Sequence, residues 1–339
     1  MTALFTTMTN FRTTIELTKS SHSISHKSNI LLAGSCFADN MGTRLAERKF
    51  NIGINPFGVL YNPLSISAML MRIVEGKPFT AESPELVEHN GKWHSILHHG
   101  DFSRNTKEEL LDVINQSINE SHERVKKCDT VILTLGTAYA YIFNRTNDIA
   151  GNCHKLPAKE FTRRLLGIEE IVGSLSAAID TYRRTNPEIR FIFTVSPIRH
   201  LRDGAHDNQK SKATLLLAID RLVELYPDNA AYFPAYEILL DELRDYRFYA
   251  DDMIHPSHVA VEYIWECFGK CYFNDDTHRL NKEIEDVVRA IGHRPFDADS
   301  EGYKTFLRNL LGKIEAIEDK NPYLDFENEK MQCNTLLNR

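Results

Sequence analysis

Three short runs of almost unbroken apolar residues constrain this chain more than any other feature: 30–33 (ILLA), Thr130–Leu135 (TVILTL) and Arg190–Val195 (RFIFTV). A strand with one wet face alternates apolar and polar side chains, and these do not. They must therefore be covered on both faces, as strands of a parallel sheet are. Each run stops at small or turn-forming residues: Gly34-Ser35-Cys36, Gly136-Thr137 and Ser196-Pro197. Between them lie stretches with helical spacing. Phe37, Met41 and Leu45 recur every four residues, and Leu110, Leu111, Ile114 and Ile118 share one face. Residues 165–182 and 213–225 also suit helices, and a fourth apolar run covers 230–233. Strand and helix in alternation predict an α/β fold with a parallel sheet between two helical layers.

The rest of the chain is read against that core. Residues 1–28 are rich in Thr and Ser and suit a leader strand or arm. The segment 56–106 interrupts the rhythm with four histidines (His89, His94, His98, His99) and is expected to be an inserted loop or lid. Residues 276–339 are charged and helical, with Leu307, Leu310, Leu311 and Ile314 on one face. The expected plan is one α/β domain over 1–275 and a helical C-terminal extension over 276–339. Forty basic against 47 acidic side chains leave −7, which gives no positive field for a nucleic-acid partner. Six scattered cysteines fit a reducing compartment. The N-terminus lacks the apolar stretch of a secretory signal, and no apolar run approaches the roughly 20 residues of a membrane span. The expectation is a soluble, cytoplasmic protein without a membrane partner, of open oligomeric state.

Two segments carry candidate chemistry. In doubly wound sheets ligands bind outside the carboxyl ends of the strands. The turn Gly34-Ser35-Cys36 opens a helix at such an end, and a helix N-terminus favours the thiolate of a cysteine placed there. The second segment is Asp251-Asp252-Met253-Ile254-His255-Pro256-Ser257. A histidine acts as general base only when its tautomer is held, and a carboxylate three residues earlier can receive its Nδ1–H. Ser257 then suits the N-cap of a last helix through Val261, Ile264 and Phe268. A small-residue turn with a buried cysteine, and a capping aspartate beside a surface histidine, account equally for each segment taken alone.

Together the two segments resemble the GDSL/SGNH hydrolase superfamily. In detail they resemble its GSCFA family, whose naming string stands here as Gly34-Ser35-Cys36-Phe37-Ala38. Asn55-Pro56-Phe57-Gly58 with Tyr61-Asn62-Pro63, Leu135-Gly136-Thr137-Ala138, Asn152-Cys153-His154-Lys155 and Ser196-Pro197-Ile198-Arg199-His200 agree with it. The resemblance spans roughly residues 15–275. It implies a three-layer α/β/α, flavodoxin-like sheet and acyl-ester chemistry without a cofactor or metal. The substrate would be a small-molecule or carbohydrate ester. Carried over by position, Cys36 or its neighbour Ser35 is the nucleophile, and His255 and Asp252 are the base and its orienter. The backbone N–H groups of Cys36 and Gly58 would bind the oxyanion, and Gly136-Thr137 stand at the superfamily's third block. Ala138 stands where that block has Asn, so this donor is missing and Thr137 hydroxyl is a candidate substitute. The alternative is a non-catalytic binding protein that keeps the cleft.

Other residues are weighed beside these. Arg199 and His200 follow a strand and should share the edge of Cys36, where Arg199 could hold an anionic or carbonyl group. A solvated turn is the plainer reading. Tyr139 and Tyr141 could stack on a sugar or line a core. His94 and His98 would share a helix face as zinc ligands do, but no carboxylate accompanies them. Cys267 and Cys271 read as core packing.

Overall fold

The structure is a computed structural model that describes residues 12–293, 295–297 and 299–338. The chain begins its regular structure with β1 (Asn29–Gly34), α1 (Cys36–Glu47), β2 (Asn51–Ile54) and α2 (Pro63–Glu75). A hairpin of β3 (Leu86–His89) and β4 (Lys92–Ser95) leads to α3 (Lys107–Val125) and β5 (Thr130–Leu135). Three more strands follow, β6 (Tyr139–Phe143), β7 (Asp148–Ala150) and β8 (Phe161–Leu165), and then α4 (Ile168–Thr185). The domain continues through β9 (Arg190–Val195), α5 (Gly204–Leu225), β10 (Ala230–Tyr232), the short turn α6 (Ala235–Glu237) and α7 (His258–Tyr272). Last come α8 (Asp275–Ile291), α9 (Glu301–Lys320) and α10 (Glu327–Leu337).

Five strands form the parallel central sheet, in the order β10-β9-β5-β1-β2. Counted within that sheet the order is 2-1-3-4-5, the flavodoxin-like arrangement. Period-two alternation divides the strand side chains between two cores. Leu31, Ala33, Val131, Leu133, Leu135, Phe191 and Phe193 pack under α2, α3, α4 and α5. Ile30, Leu32, Ile132 and Ile192 pack on the other face under α1 and α7. The result is three layers, α/β/α. The three apolar runs are the middle strands, which explains why they carry no polar face.

The layer assignment also locates a cleft. The connection from β1 to β2 crosses on one face, whereas the connections into β5, β9 and β10 cross on the other. The reversal falls between β1 and β5, the switch point where such sheets bind ligands. Register brings the strand ends level, because Gly34 pairs with Thr134 and Thr134 with Thr194.

Some segments differ from expectation. Residues 56–106 are folded into the domain: Ile66, Leu70 and Ile73 of α2 are fully buried in the larger core. His94 sits on β4, and His94 and His98 are tied to Ser103, Ser95 and the His89 carbonyl. The helix that would have made them neighbouring ligands is absent because the segment pairs as a hairpin. The 165–182 helix starts three residues later, since Leu165 ends β8. β6, β7 and β8 form a separate antiparallel sheet. Its Tyr139 and Tyr141 lie under the guanidinium of Arg163, which itself pairs with Asp203, so a protein cation covers that aromatic platform. Cys267 and Cys271 are buried beside Trp265 and Phe268.

The last three helices have their own apolar cluster, built on Leu307, Leu310, Ile314 and Phe326. Ion pairs Arg48–Glu285 and Lys49–Glu329, both at 2.6 Å, join it to the end of α1 and the loop that follows. Residues 20–24 run along the end of α7, where Ile24 donates to the Tyr272 carbonyl. No described helix is long and apolar enough to cross a membrane.

Candidate active site

The end of β1 is closed by hydrogen bonds from the loop after β2. Asn55 is buried, and its Oδ1 accepts the Gly34 N–H at 2.8 Å while its Nδ2 donates to Asp39 on α1. The Leu60 N–H donates to the Gly34 carbonyl. Gly34 itself has φ of +140°, and a Cβ there would lie 2.1 Å from the Thr134 carbonyl oxygen. Only glycine lets the chain turn this tightly against β5. The next residue, Ser35, is buried and serves as N-cap of α1, its hydroxyl accepting the Phe37 N–H at 3.3 Å. Cys36 is thereby the first helical residue, and its side chain is half-buried at the switch point.

His255 reaches this point from the loop before α7. Its Nε2 lies 4.0 Å from Cys36 Sγ, and its Nδ1 is 2.5 Å from Asp252 Oδ2. The other carboxylate oxygen of Asp252 accepts the N–H groups of Ile254 and His255, each at 2.9 Å. These bonds hold the Asp252 carboxyl at about 2, the His255 N–H first among them. The loop is anchored on both sides: Ala250 N–H donates to the His255 carbonyl, and Ser257 caps α7 through the Ala260 N–H. The fold thus brings Cys36, His255 and Asp252 together, with Cys36 and His255 separated by 219 positions of sequence. The thiol differs from expectation. Burial pushes its pKa up, aided by the Asp39 charge, while the N–H groups of Cys36 and Phe37 and the Tyr61 hydroxyl pull it down. Desolvation of the anion outweighs the helix N-terminus. At rest this is a thiol, and a base must take its proton.

The expected donors other than the Cys36 N–H are committed elsewhere. Gly58 N–H donates to the Asn55 carbonyl at 2.7 Å within its own turn. Gly136 and Thr137 N–H both donate to the Tyr61 carbonyl, at 2.8 and 3.0 Å. Thr137 Oγ1 lies 3.0 Å from Ser211 Oγ on α5. These groups satisfy the backbone of a crowded strand edge, so none is left to face a ligand. In this structure the N–H groups of Gly58, Gly136 and Thr137 are all spent on backbone carbonyls.

Two residues that sequence reasoning missed stand at the site. Tyr61 packs edge-on against His200, with ring centroids 5.4 Å apart, and its phenol and the Cys36 thiol influence each other's protonation. Lys212 on α5 is 1% exposed, and its ammonium donates to the carbonyls of Gly136 and Ser196, each at 2.7 Å. It ties the ends of β5 and β9 together behind the cleft. Burial lowers its pKa to about 7, against a raising influence of Cys36. A signal for Lys212 was present: it precedes Leu215 and Ile219 by three and seven residues, on the apolar face of its helix. Tyr61 lies in the Tyr61-Asn62-Pro63 segment of the resemblance, which assigned it no role.

Arg199 and His200 occupy the loop after β9 at this same edge. His200 N–H donates to Asn208 at 2.9 Å, and burial lowers its ring pKa to about 4. His154, from the polar loop at 152–155, is instead stacked on His94 and bound to the Ser95 carbonyl. Among the described residues no three His, Cys, Asp or Glu side chains form a metal-binding cluster.

Comparison with known proteins adds the following. The model of the GSCFA family matches residues 29–268, and that of the GSCFA domain protein, C-terminal domain, matches 284–339. No curated protein matches the chain. Among solved structures, a carbohydrate esterase family 3 from Talaromyces cellulolyticus is similar over 76% of this chain and 98% of its own. Its identity is 10% and its TM-score 0.34.

Proposed function

The chain belongs to the GSCFA family, and from this premise we propose that it is an esterase or acyltransferase in which Cys36 is the nucleophile. His255 is the general base and Asp252 holds its tautomer. The observation that carries the reading is the Cys36–His255–Asp252 line, at 4.0 and 2.5 Å, at the sheet's switch point. Separations at catalytic pairs are commonly long without substrate and tighten on binding. His255 is half-exposed and has room to do so.

The cycle balances as follows. His255 Nε2 takes the Cys36 proton as sulfur attacks the ester carbonyl, forming the C–S bond. The carbonyl becomes an oxyanion, which the Cys36 N–H and the Tyr61 hydroxyl stabilise. The C–O bond to the leaving alcohol then breaks, and His255 returns the proton to that oxygen. Water, or an acceptor hydroxyl, attacks the thioester, gives its proton to His255 and releases the acyl group. The proton passes back to sulfur. Tyr61 supplies the donor that the Ala138 position lacks, and a neutral thiol that ionises only during attack suits a buried site.

Intact-mass spectrometry after brief exposure to p-nitrophenyl acetate tests the reading. An acetylated species that forms in a burst, and is lost in Cys36→Ala and His255→Ala, is expected. Ser35→Ala should keep the acetyl group on Cys36 and lose about 1 kcal/mol of stability with its cap. A burst unchanged in both the Cys36 and His255 variants would refute the mechanism. A second reading, a binding protein with this cleft, is favoured by the committed N–H groups of Gly58, Gly136 and Thr137. It predicts no acetylation of Cys36.

A further inference from the structure

We propose that the substrate carries an oxyanionic group, a carboxylate or a phosphate, which the Arg199 guanidinium binds beside Cys36. This rests on the esterase reading and names the class of ester it accepts.

Arg199 is partly buried in the loop after β9, and its Nε is buried without a hydrogen-bond partner among the described residues. No carboxylate pairs with Arg199 among the described residues, and two candidates at this edge are engaged. Asp203 pairs with Arg163 at 2.5 Å, and Asp252 with His255. The Arg199 charge bears on the phenols of Tyr236 and Tyr249, and on the ammonium of Lys212. Beside it, His200 Nε2 is also buried without a partner among the described residues. A buried guanidinium nitrogen and a buried imidazole nitrogen without partners both cost free energy unless something completes them.

An anionic ligand completes both. A guanidinium presents planar paired donors that match the oxygens of a carboxylate or phosphate, and a neutral imidazole can donate a third bond. The location fits a substrate site. The His200 ring packs on Tyr61, whose phenol and the Cys36 thiol influence each other's protonation, and it lies within electrostatic reach of His255. A single loop therefore carries the anion's partners to the edge where the thiol stands. Lys212, held by two backbone carbonyls at 2.7 Å each, lies behind the same strand ends.

Alkylation of Cys36 separates this proposal from the esterase reading. Iodoacetate and iodoacetamide share a leaving group and differ in charge, and both react with the thiolate. Their rate ratio at Cys36, read by peptide mass spectrometry, therefore cancels the thiol's own pKa. The ratio of anionic to neutral reagent is expected to fall about tenfold in Arg199→Gln, the scale of one charge-assisted contact. Arg199→Lys should fall between the two. Should Arg199→Gln not fold, the wild-type protein decides: inorganic phosphate or succinate must slow its alkylation by iodoacetamide. Stronger protection by phosphate assigns a phosphate-bearing ester, and stronger protection by succinate a carboxylate-bearing one. A ratio unmoved by Arg199→Gln, absence of protection, or a Cys36 that neither reagent reaches overturns the proposal. An acyl-enzyme burst with an unmoved ratio removes the anion site alone. An Arg199-dependent ratio without a burst removes the esterase reading alone.

Discussion

Replacing Gly34 by Ala would test how the sheet holds the reactive cysteine. At φ of +140° an L-residue is strained by about 1–3 kcal/mol. The added Cβ would also stand 2.1 Å from the Thr134 carbonyl oxygen and 2.8 Å from its carbonyl carbon. Ordinary contacts begin more than an ångström further out, and the obstacle is backbone of a central strand, which cannot swing aside as a side chain can. Either β1 separates from β5 at its end, or the turn moves. Separation breaks the Ser35 N–H bond to Thr134 and disturbs the bonds that Asn55 and Leu60 make to Gly34. Two such buried bonds at about 1 kcal/mol each, added to the strain, give roughly 3–5 kcal/mol. The thiol would move with the turn, and a misplacement of about 1 Å can cost on the order of a hundredfold in rate. Urea titration of Gly34→Ala, with the p-nitrophenyl acetate burst measured on its folded fraction, checks both numbers. A loss under 1 kcal/mol with an unaltered burst would show that the strand end is not held as described.

Other outcomes follow from the same geometry. Tyr61→Phe should lower kcat by about 10²–10³ with little change in KM, as loss of an oxyanion donor does; steady-state kinetics on aryl esters reads this. Asp252→Asn should slow acyl-enzyme formation severely at every pH. Because the wild-type carboxyl is held at about 2, it stays ionised, and activity should show no Asp252 titration above pH 4. Cys36 alkylation should rise with pH around a midpoint above that of a free thiol, since burial raises its pKa. Acid stability follows from buried histidines. Burial lowers His26 and His154 to about 4, so between pH 6.5 and 4 the unfolded chain binds protons that the folded one refuses. Stability therefore falls as pH falls through that window, by on the order of 3 kcal/mol per group. Urea titrations at pH 7 and pH 4.5 measure it, and His26→Phe should flatten the dependence.

What could be read from the chain alone follows the physics of burial. A parallel strand covered on both faces must be apolar throughout, so β1, β5 and β9 are visible as letters. Fold class and layer order follow from their alternation with amphipathic helices. Cys36, His255 and Asp252 could be singled out because their marks are local, a strand end opening a helix and a carboxylate three residues from an imidazole, and the family resemblance joined the two segments. Ser257 as a cap is local in the same sense. Beyond this the tertiary structure decided. Asn51–Ile54 is too short and polar to announce a strand, and it pairs only because β1 offers an edge. Whether Gly58, Gly136 and Thr137 can donate depends on which carbonyl comes to rest opposite each, and Asn55 and Tyr61 supply those carbonyls. Lys212 is an ordinary helix lysine until two strand ends close over it. The thiol's raised pKa, the reach of Tyr61 and the unmatched charge of Arg199 are likewise properties of surroundings. Periodicity and short-range hydrogen bonding are written in neighbouring residues, whereas desolvation and donor occupancy exist only after distant segments have met.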